Sequence, residues 1–292
     1  MKNNKRIAAF SLVELSIVLV ILGLLVGGVL SGRSLIRAAE MRNITSELTE
    51  HQTAVNNFRM RYNAVPGDMR NATQFWGPRT TPACYSGTAH TAVTGKETCN
   101  GDGDGGVGGA SCGTTAENAL REHEKFLFWQ HLSNAGLIGR QFAGGPASSR
   151  LLDAGLSVPE SKAGKQTVWR VDTFSNRPGC VSAIPNNDDR YPNNHTMDIR
   201  APGRNFLVFG DAIFRYLYTA DAAYQGLTAE EAYSIDAKID DGLSPSGIVR
   251  PYFNNHTGQP TRACTKYENS EYSYNLGNSS TTGCILYFRD LF

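Results

Sequence analysis

Residues 9–28 read AFSLVELSIVLVILGLLVGG, and this stretch decides how the N-terminal part of the chain folds. From Phe10 to Leu30 the sequence is apolar apart from two serines and Glu14. As a helix, a run of about 21 such residues spans a hydrocarbon core of about 30 Å. A carboxylate at that depth costs on the order of 3 kcal/mol, so Glu14 needs a partner.

A basic head precedes the apolar run. Lys2, Lys5 and Arg6 predict that the N-terminus starts in the cytoplasm and that the rest of the chain lies outside. A secretory signal has small residues and a cleavage site after its apolar region. Here the apolar run continues into a longer helical pattern, which argues against removal at that point.

The helical pattern extends well beyond the apolar run. Apolar residues recur at helical spacing, with charged residues between them, as far as Tyr62, and Pro66-Gly67 is the first strong stop. We therefore predict one helix over residues 10–62, of which residues 10–30 are the membrane part. At 1.5 Å per residue its length would be roughly 80 Å.

The composition narrows the classes of function. The 292 residues carry 28 Lys and Arg against 27 Asp and Glu, so the near-neutral charge gives no reason to expect nucleic acid as a partner. No Walker loop, dinucleotide fingerprint or G-x-S-x-G motif occurs, and we expect the protein not to be an enzyme. The six cysteines include no C-x-x-C pair. Together with a membrane signal they indicate disulfides in an oxidising compartment.

The quoted stretch, with its short basic leader, resembles the N-terminal motif of the type IV pilin and type II secretion pseudopilin family. That motif has a small residue followed by Phe, a hydroxyl residue, Leu, an aliphatic residue, Glu and Leu, and residues 9–15 follow this order. The resemblance implies that a prepilin peptidase cuts between Ala9 and Phe10 and methylates the new amine of Phe10. It also implies that Glu14 is the charged residue used in assembly. The chain departs from the family in having Ala9 where glycine is usual.

Cleavage at this junction would also offset the cost of Glu14. A free amine at Phe10 would lie one helical turn from Glu14, and the two could pair within one subunit or between neighbours. Small residues spaced four apart within 23–32 let helices approach closely. A plain membrane anchor with an incidental glutamate is the alternative interpretation of this segment.

The family resemblance implies a precursor with three parts: a leader (1–9), an assembly helix (10–62) and a globular periplasmic or surface domain (63–292). It implies a single-pass protein of the bacterial inner membrane, with a periplasmic C-terminal domain, that later enters a pilus or pseudopilus filament. The implied partners are other pilin or pseudopilin subunits, through the N-terminal helix, the prepilin peptidase and an inner-membrane assembly platform. A membrane-tethered periplasmic binding module that does not enter filaments is the alternative function.

The remainder of the chain is predicted to make the fold α+β, with the long helix packed on a mainly antiparallel sheet and with disulfide-stapled loops. One amphipathic helix is expected between an N-cap at Thr115 and a C-terminal cap at Gly136, and a second capped helix over 228–242. Strands are expected at 166–174, 205–214, 247–253 and 284–292.

The best candidate for a small-ligand site is CNGDGDGGVGG at residues 99–109. It matches positions 1, 3, 5, 6 and 8 of an EF-hand-type calcium loop, in which alternate oxygens converge on one cation. The predicted calcium ligands are Asn100, Asp102, Asp104, Gly106 and Glu117. Position 12 is Ser111 instead of the usual glutamate, so Glu117 or Glu97 would supply the missing carboxylate. A flexible polar glycine turn is the alternative.

Six cysteines allow 15 disulfide connectivities. Proximity favours Cys264–Cys284, which closes a loop of about 20 residues, contributes roughly 3 kcal/mol and matches the family's C-terminal staple. The predicted pairs are Cys264–Cys284, Cys99–Cys112 and Cys84–Cys180.

Two further groups of polar or aromatic residues are interpreted as structural. Asp236, Asp240 and Asp241 are more typical of a polar helix exit and turn than of a metal site. The histidines and the tryptophan of residues 123–131 are typical of an amphipathic helix.

Overall fold

The structure is a computed structural model that describes residues 12–80, 84, 95–108, 115–145, 154–164, 167–173, 205–211, 226–244, 246–251, 264–268, 271–277, 283–289 and 292. Ala9 and Phe10, the predicted cleavage junction, lie outside the described residues.

The N-terminal helix α1 runs from Leu12 to Tyr62 and contains 51 residues. It ends where the sequence predicts, because Asn63 adopts a left-handed φ of 50°, a conformation that asparagine tolerates at helix ends. The side chains of residues 12–36 are almost all exposed. From Ile44 to Phe58 the buried positions recur every three or four residues, so one face of this second half packs on the rest of the chain.

The other elements follow α1 in the order helix, helix, strand, strand, helix and four strands. The helices are α2 (Ala72–Trp76), α3 (Thr115–Asn134) and α4 (Ala229–Ile239). The strands are β1 (Thr167–Thr173), β2 (Asn205–Asp211), β3 (Val249–Pro251), β4 (Thr265–Glu268), β5 (Glu271–Tyr274) and β6 (Leu286–Phe288).

The strands form one antiparallel sheet and one separate antiparallel pair. The sheet has the order β1-β2-β6-β3, with Trp169 of β1 opposite Phe209 of β2, and the pair consists of β4 and β5. The fold is therefore α+β, with a long N-terminal helix and an antiparallel sheet, as the sequence predicts.

The core lies where α1, α3 and the sheet meet. Phe58 of α1, Trp129 of α3 and Trp169 of β1 are fully buried there. His51 of α1 contacts both tryptophans edge-on, with ring centroids 5.0 and 5.3 Å apart. Aromatic side chains thus join the helix face predicted from periodicity to the sheet.

Helix α4 begins and ends through side-chain hydrogen bonds. Thr228 and Glu231 form a reciprocal capping box at its N-terminus, which agrees with the predicted capped start. The helix ends at Ile239, before the predicted Gly242, because the Asp240 carboxylate accepts hydrogen bonds from backbone N–H groups of the following loop.

Three short elements were not expected from the sequence. Helix α2 places Phe75 and Trp76 against Tyr62, and no helix is predicted at these residues. β4 and β5 are four residues each and rich in polar residues, so they lack the apolar run that identifies a strand.

The disulfides follow the spatial neighbourhood of the chain. Cys264 is bonded to Cys284, with Cα atoms 5.0 Å apart, which is the predicted pair. Cys84 is bonded to Cys99, so the predicted pairs Cys99–Cys112 and Cys84–Cys180 are wrong.

The error has a structural cause. A parallel bridge between Pro78 and Thr98 brings the chain before Cys84 beside the chain before Cys99. The 15-residue separation of Cys84 and Cys99 differs little from the separation within the predicted pair Cys99–Cys112, so sequence distance could not choose between them.

Candidate functional site

The first half of α1 is long and apolar enough to cross a membrane. Leu12 is 85% exposed and Leu35 is 71% exposed, and the apolar residues between them contact no other described element. Glu14 lies in the first turn of this helix. A helix face of this length that the described part of the chain leaves uncovered requires lipid or other helices around it.

Along α1, the first described side-chain contact with the domain is made by Arg37. The Arg37 guanidinium pairs with both carboxylate oxygens of Glu231 and also with Glu40. Because Glu231 belongs to the capping box of α4, this contact fixes the start of α4 at the level of residue 37.

The glycine loop, defined here as residues 100–108, is held by side chains from distant parts of the chain. Asp68 accepts hydrogen bonds from the N–H groups of Asp104 at 3.1 Å and Gly105 at 2.9 Å. Asn205 accepts one from the N–H of Val107 at 2.7 Å. The loop is therefore tied both to the segment after α1 and to the start of β2.

Three carboxylates converge at this loop. Asp68, Asp102 and Asp104 each offer an oxygen, and these oxygens lie within 4.8 Å of one another. Burial raises the pKa of the Asp68 carboxyl to about 6, because desolvation outweighs the hydrogen bond from Gly105. Such a set of hard oxygen donors is of the kind that calcium prefers.

A fourth carboxylate, Glu124 of α3, lies against the loop. It is fully buried and accepts hydrogen bonds from the N–H groups of Asp102 at 2.9 Å and Gly108 at 3.2 Å. Burial, with smaller contributions from the charges of Asp102 and Asp68, raises the pKa of Glu124 to about 8. The loop thus concentrates carboxylates that a cation would stabilise.

The predicted calcium ligands differ from one another in their contacts. Asp102 and Asp104 belong to the carboxylate group, as the loop pattern expects. Asn100, by contrast, accepts a hydrogen bond from the N–H of Thr73 at 2.9 Å, so this oxygen is engaged at the start of α2. Gly106 is buried, and its N–H donates to Asp104 Oδ1 at 2.9 Å.

The carboxylates beside the loop differ from those that the sequence suggests for the missing ligand. The side chain of Glu117 and all of Ser111 lie outside the described residues, and Glu97 is exposed. Among the described residues outside the loop, Asp68 and Glu124 are acidic residues that hydrogen-bond to it. Glu124 shares a helical stripe with the buried residues 127, 128 and 131, which is the one sequence signal that could have identified it.

A second acidic group lies at the end of α4. Oxygens of Asp236, Asp240 and Asp241 lie within 4.8 Å of one another. Asp236 accepts hydrogen bonds from the Tyr274 hydroxyl at 2.8 Å and from the N–H of Gly242 at 3.2 Å. Burial raises the pKa of Asp236 to about 6. These bonds organise the helix exit and turn that the sequence predicts.

Comparison with known proteins identifies the N-terminal segment. Residues 4–30 match the profile of the prokaryotic N-terminal methylation motif. No curated protein and no solved structure matches the chain. The motif match supports the recognition of the type IV pilin and pseudopilin family. The N-terminal segment thus carries a prepilin-type methylation motif, and the described chain has a pilin-like architecture, in which a long apolar helix leads into an α+β domain.

Proposed function

We propose that this chain is the precursor of a filament subunit, either a type II secretion pseudopilin or a type IV pilin, of the major or the minor kind. The prepilin peptidase removes residues 1–9 and methylates Phe10. The helix of residues 10–62 first anchors the subunit in the bacterial inner membrane, with domain 63–292 in the periplasm. The assembly platform then moves the subunit into a pilus or pseudopilus, where the helices of neighbouring subunits pack together.

One observation carries this proposal. The side chains of the apolar half of α1 are not buried against the described part of the domain, and the methylation motif lies on the same segment. A membrane tether alone would explain an exposed apolar helix, but it would give no reason for a peptidase and methylation signal. Among the described residues, the Arg37 contact and the buried face that begins at Ile44 hold the domain on the second half of the helix.

Replacement of Glu14 tests the assembly step. Glu14→Ala should leave peptidase processing intact and abolish incorporation into filaments, because the variant lacks the carboxylate that pairs with the Phe10 amine of a neighbour. Glu50→Ala, an exposed glutamate on the same helix, is the matched control and should assemble normally. Filaments would be sheared from cells and quantified by immunoblot. Normal incorporation of Glu14→Ala would contradict the pairing.

The alternative function, a tethered periplasmic binding module, makes a different prediction. A tether has no reason to be cut at Ala9-Phe10, so a chain that stays uncut when co-expressed with a prepilin peptidase would favour it. A cut chain that never leaves the membrane would support a processed tether over a filament subunit.

We also propose that calcium binds at the glycine loop, with Asp68, Asp102 and Asp104 as carboxylate ligands. The support is the convergence of these three oxygens at a loop whose sequence follows the calcium-loop pattern. Bound calcium would neutralise the charges gathered there and stabilise the connection between the end of α1 and the sheet. It has no role in a reaction.

Calorimetry on the detergent-solubilised full-length chain tests the calcium site. The parent should bind calcium at millimolar concentrations or below, and Asp102→Asn should weaken binding by about tenfold or more, since it removes one charged ligand. Asp241→Asn, in the second acidic group, is the control and should bind as the parent does. Absence of binding at millimolar calcium, or a loss confined to Asp241→Asn, would contradict this assignment.

A further inference from the structure

Two exposed surfaces of the domain have complementary composition. The first, here the basic-aromatic surface, is formed by Arg59, Met60, Arg61, Tyr62 and Phe75 at the end of α1. Met60 is 77% exposed and Phe75 is 55% exposed. The Phe75 ring packs edge-on against Tyr62 at 5.2 Å, and the Arg61 guanidinium lies over the Tyr62 ring, also at 5.2 Å. Such exposed aromatic groups with cations are typical of contact surfaces.

The second, here the acidic-apolar surface, is formed by Glu230, Tyr233, Asp241, Leu243 and Ile248 of α4 and the loop after it. Leu243 is 57% exposed and Tyr233 is 40% exposed. The Tyr233 ring would lie 3.3 Å from a Cβ built at Gly242, so the loop that carries Leu243 folds back onto α4. Asp241 holds this loop through bonds to the N–H of Leu243 and the hydroxyl of Ser246.

The two surfaces carry opposite charge. The basic-aromatic surface carries the exposed Arg59 and Arg61, whereas the acidic-apolar surface carries the half-buried Glu230 and the exposed Asp241. Two copies of the same surface would therefore repel each other, while unlike surfaces would attract. Their apolar residues add area that an interface would bury.

The surfaces also lie at different heights along α1. Arg37 fixes the start of α4, and Arg61 lies 24 residues further along the helix, about 36 Å at 1.5 Å per residue. Helix α4 has 11 residues and is about 16 Å long, so even its far end stays about 20 Å short of the level of Arg61. One molecule cannot bring its own two surfaces together.

We propose that the basic-aromatic surface of one copy binds the acidic-apolar surface of the next copy of this chain. Unlike surfaces that meet head to tail make a heterologous contact, and such a contact continues into an open helical filament when it does not close into a ring. This inference rests on the proposed function as a filament subunit and adds which faces of the domains meet.

Photo-crosslinking of the full-length chain tests the contact. A photoreactive benzoylphenylalanine is incorporated at position 75 in cells that also express the prepilin peptidase and the assembly platform. After irradiation, the dimers are isolated and their crosslinked peptides are mapped by mass spectrometry. The expected partner peptides come from residues 226–250 of a second copy.

Charge reversals sharpen the test. Arg61→Glu and Glu230→Arg should each lower the dimer yield about two- to fivefold, and the double variant should recover it, because the pair then has exchanged signs. Arg140 is exposed and lies outside both surfaces, so Arg140→Glu should leave the dimer yield unchanged. Retention of the Cys264–Cys284 disulfide in each variant serves as the check on folding.

The outcomes separate this inference from the proposed function. Crosslinks to other regions or to another protein, no dimer in cells that form filaments, or no recovery in the double variant would each overturn the proposed contact. A chain that keeps Met1 in the same cells would instead contradict the proposed function.

Discussion

Burial of His51 makes the stability of the chain depend on pH. Neither of its ring nitrogens has a hydrogen-bond partner among the described residues, and the ring lies between Trp129 and Trp169. Burial, with a smaller contribution from the charge of Lys162, lowers the pKa of His51 to about 4. The folded chain therefore keeps this histidine neutral at pH values where an unfolded chain protonates it.

The sign of the effect follows from proton binding. Below the ordinary histidine pKa of about 6.5, His51 of the unfolded chain binds a proton. His51 of the folded chain does not bind one until the pH reaches about 4. The free energy of unfolding therefore falls as the pH falls from about 6.5 to about 4. The slope is about 1.4 kcal/mol per pH unit for one histidine. His51→Phe removes this loss and preserves an aromatic contact with both tryptophans.

The variant should therefore gain stability over the parent as the pH falls from about 6.5 to about 4, by on the order of 2 kcal/mol at pH 5. Denaturant unfolding of both full-length chains at each pH measures the difference. The comparison must be made pairwise, because the raised pKa values of Asp68 and Glu124 give the parent an opposite pH dependence. A constant difference between the two chains would contradict the role of His51.

At the scale of elements, α1 is attached to the domain through a buried carboxylate. Glu47 is 5% exposed and accepts hydrogen bonds from Ser161 Oγ at 2.6 Å, the Lys162 N–H at 2.7 Å and Trp169 Nε1 at 2.8 Å. Glu47→Ala would leave three donors without their acceptor. We expect the free energy of unfolding to fall by about 3 kcal/mol.

Chemical denaturation of the full-length chain in detergent measures this loss. Glu50→Ala is the control, because Glu50 is also a glutamate, lies about one helical turn away and is exposed. It should change the free energy of unfolding by no more than about 0.5 kcal/mol. Equal losses in the two variants would contradict the role of the buried hydrogen bonds of Glu47.

Helices whose ends and faces depend on neighbouring residues could be predicted from the sequence. Periodicity identified α1, and its end at Tyr62 coincides with the expected stop. The capping box gave the start of α4. The short strands β4 and β5 escaped prediction because their pairing depends on contacts between segments and not on an apolar run.

At the scale of the whole molecule, the sequence identified the glycine loop but not the residues around it. Asp68 follows the end of α1, and Glu124 lies on α3, so only the tertiary fold brings them to the loop. Gly101 shows how close that approach is, since a Cβ there would lie 2.4 Å from the Gly67 carbonyl oxygen. The wrong disulfide pairs have the same origin, because spatial neighbours cannot be read from separation along the chain.

The proposed function is that a prepilin-type signal turns a chain anchored in a membrane by α1 into an assembly subunit. It connects the exposed apolar half of α1, the methylation motif at residues 4–30 and the domain gripped from Arg37 onward. In the proposed subunit, the helix is first held in a membrane and then packs against the helices of other subunits. The proposed cut before Phe10 creates the amine with which Glu14 would pair.

The most direct test is the mass and N-terminal sequence of the chain purified from cells that express a prepilin peptidase. We predict that the mature chain starts at Phe10, carries a methyl group on its N-terminal nitrogen and lacks residues 1–9. A chain that still starts at Met1 under these conditions, or one cut after the apolar run, would contradict the proposed function as a filament subunit.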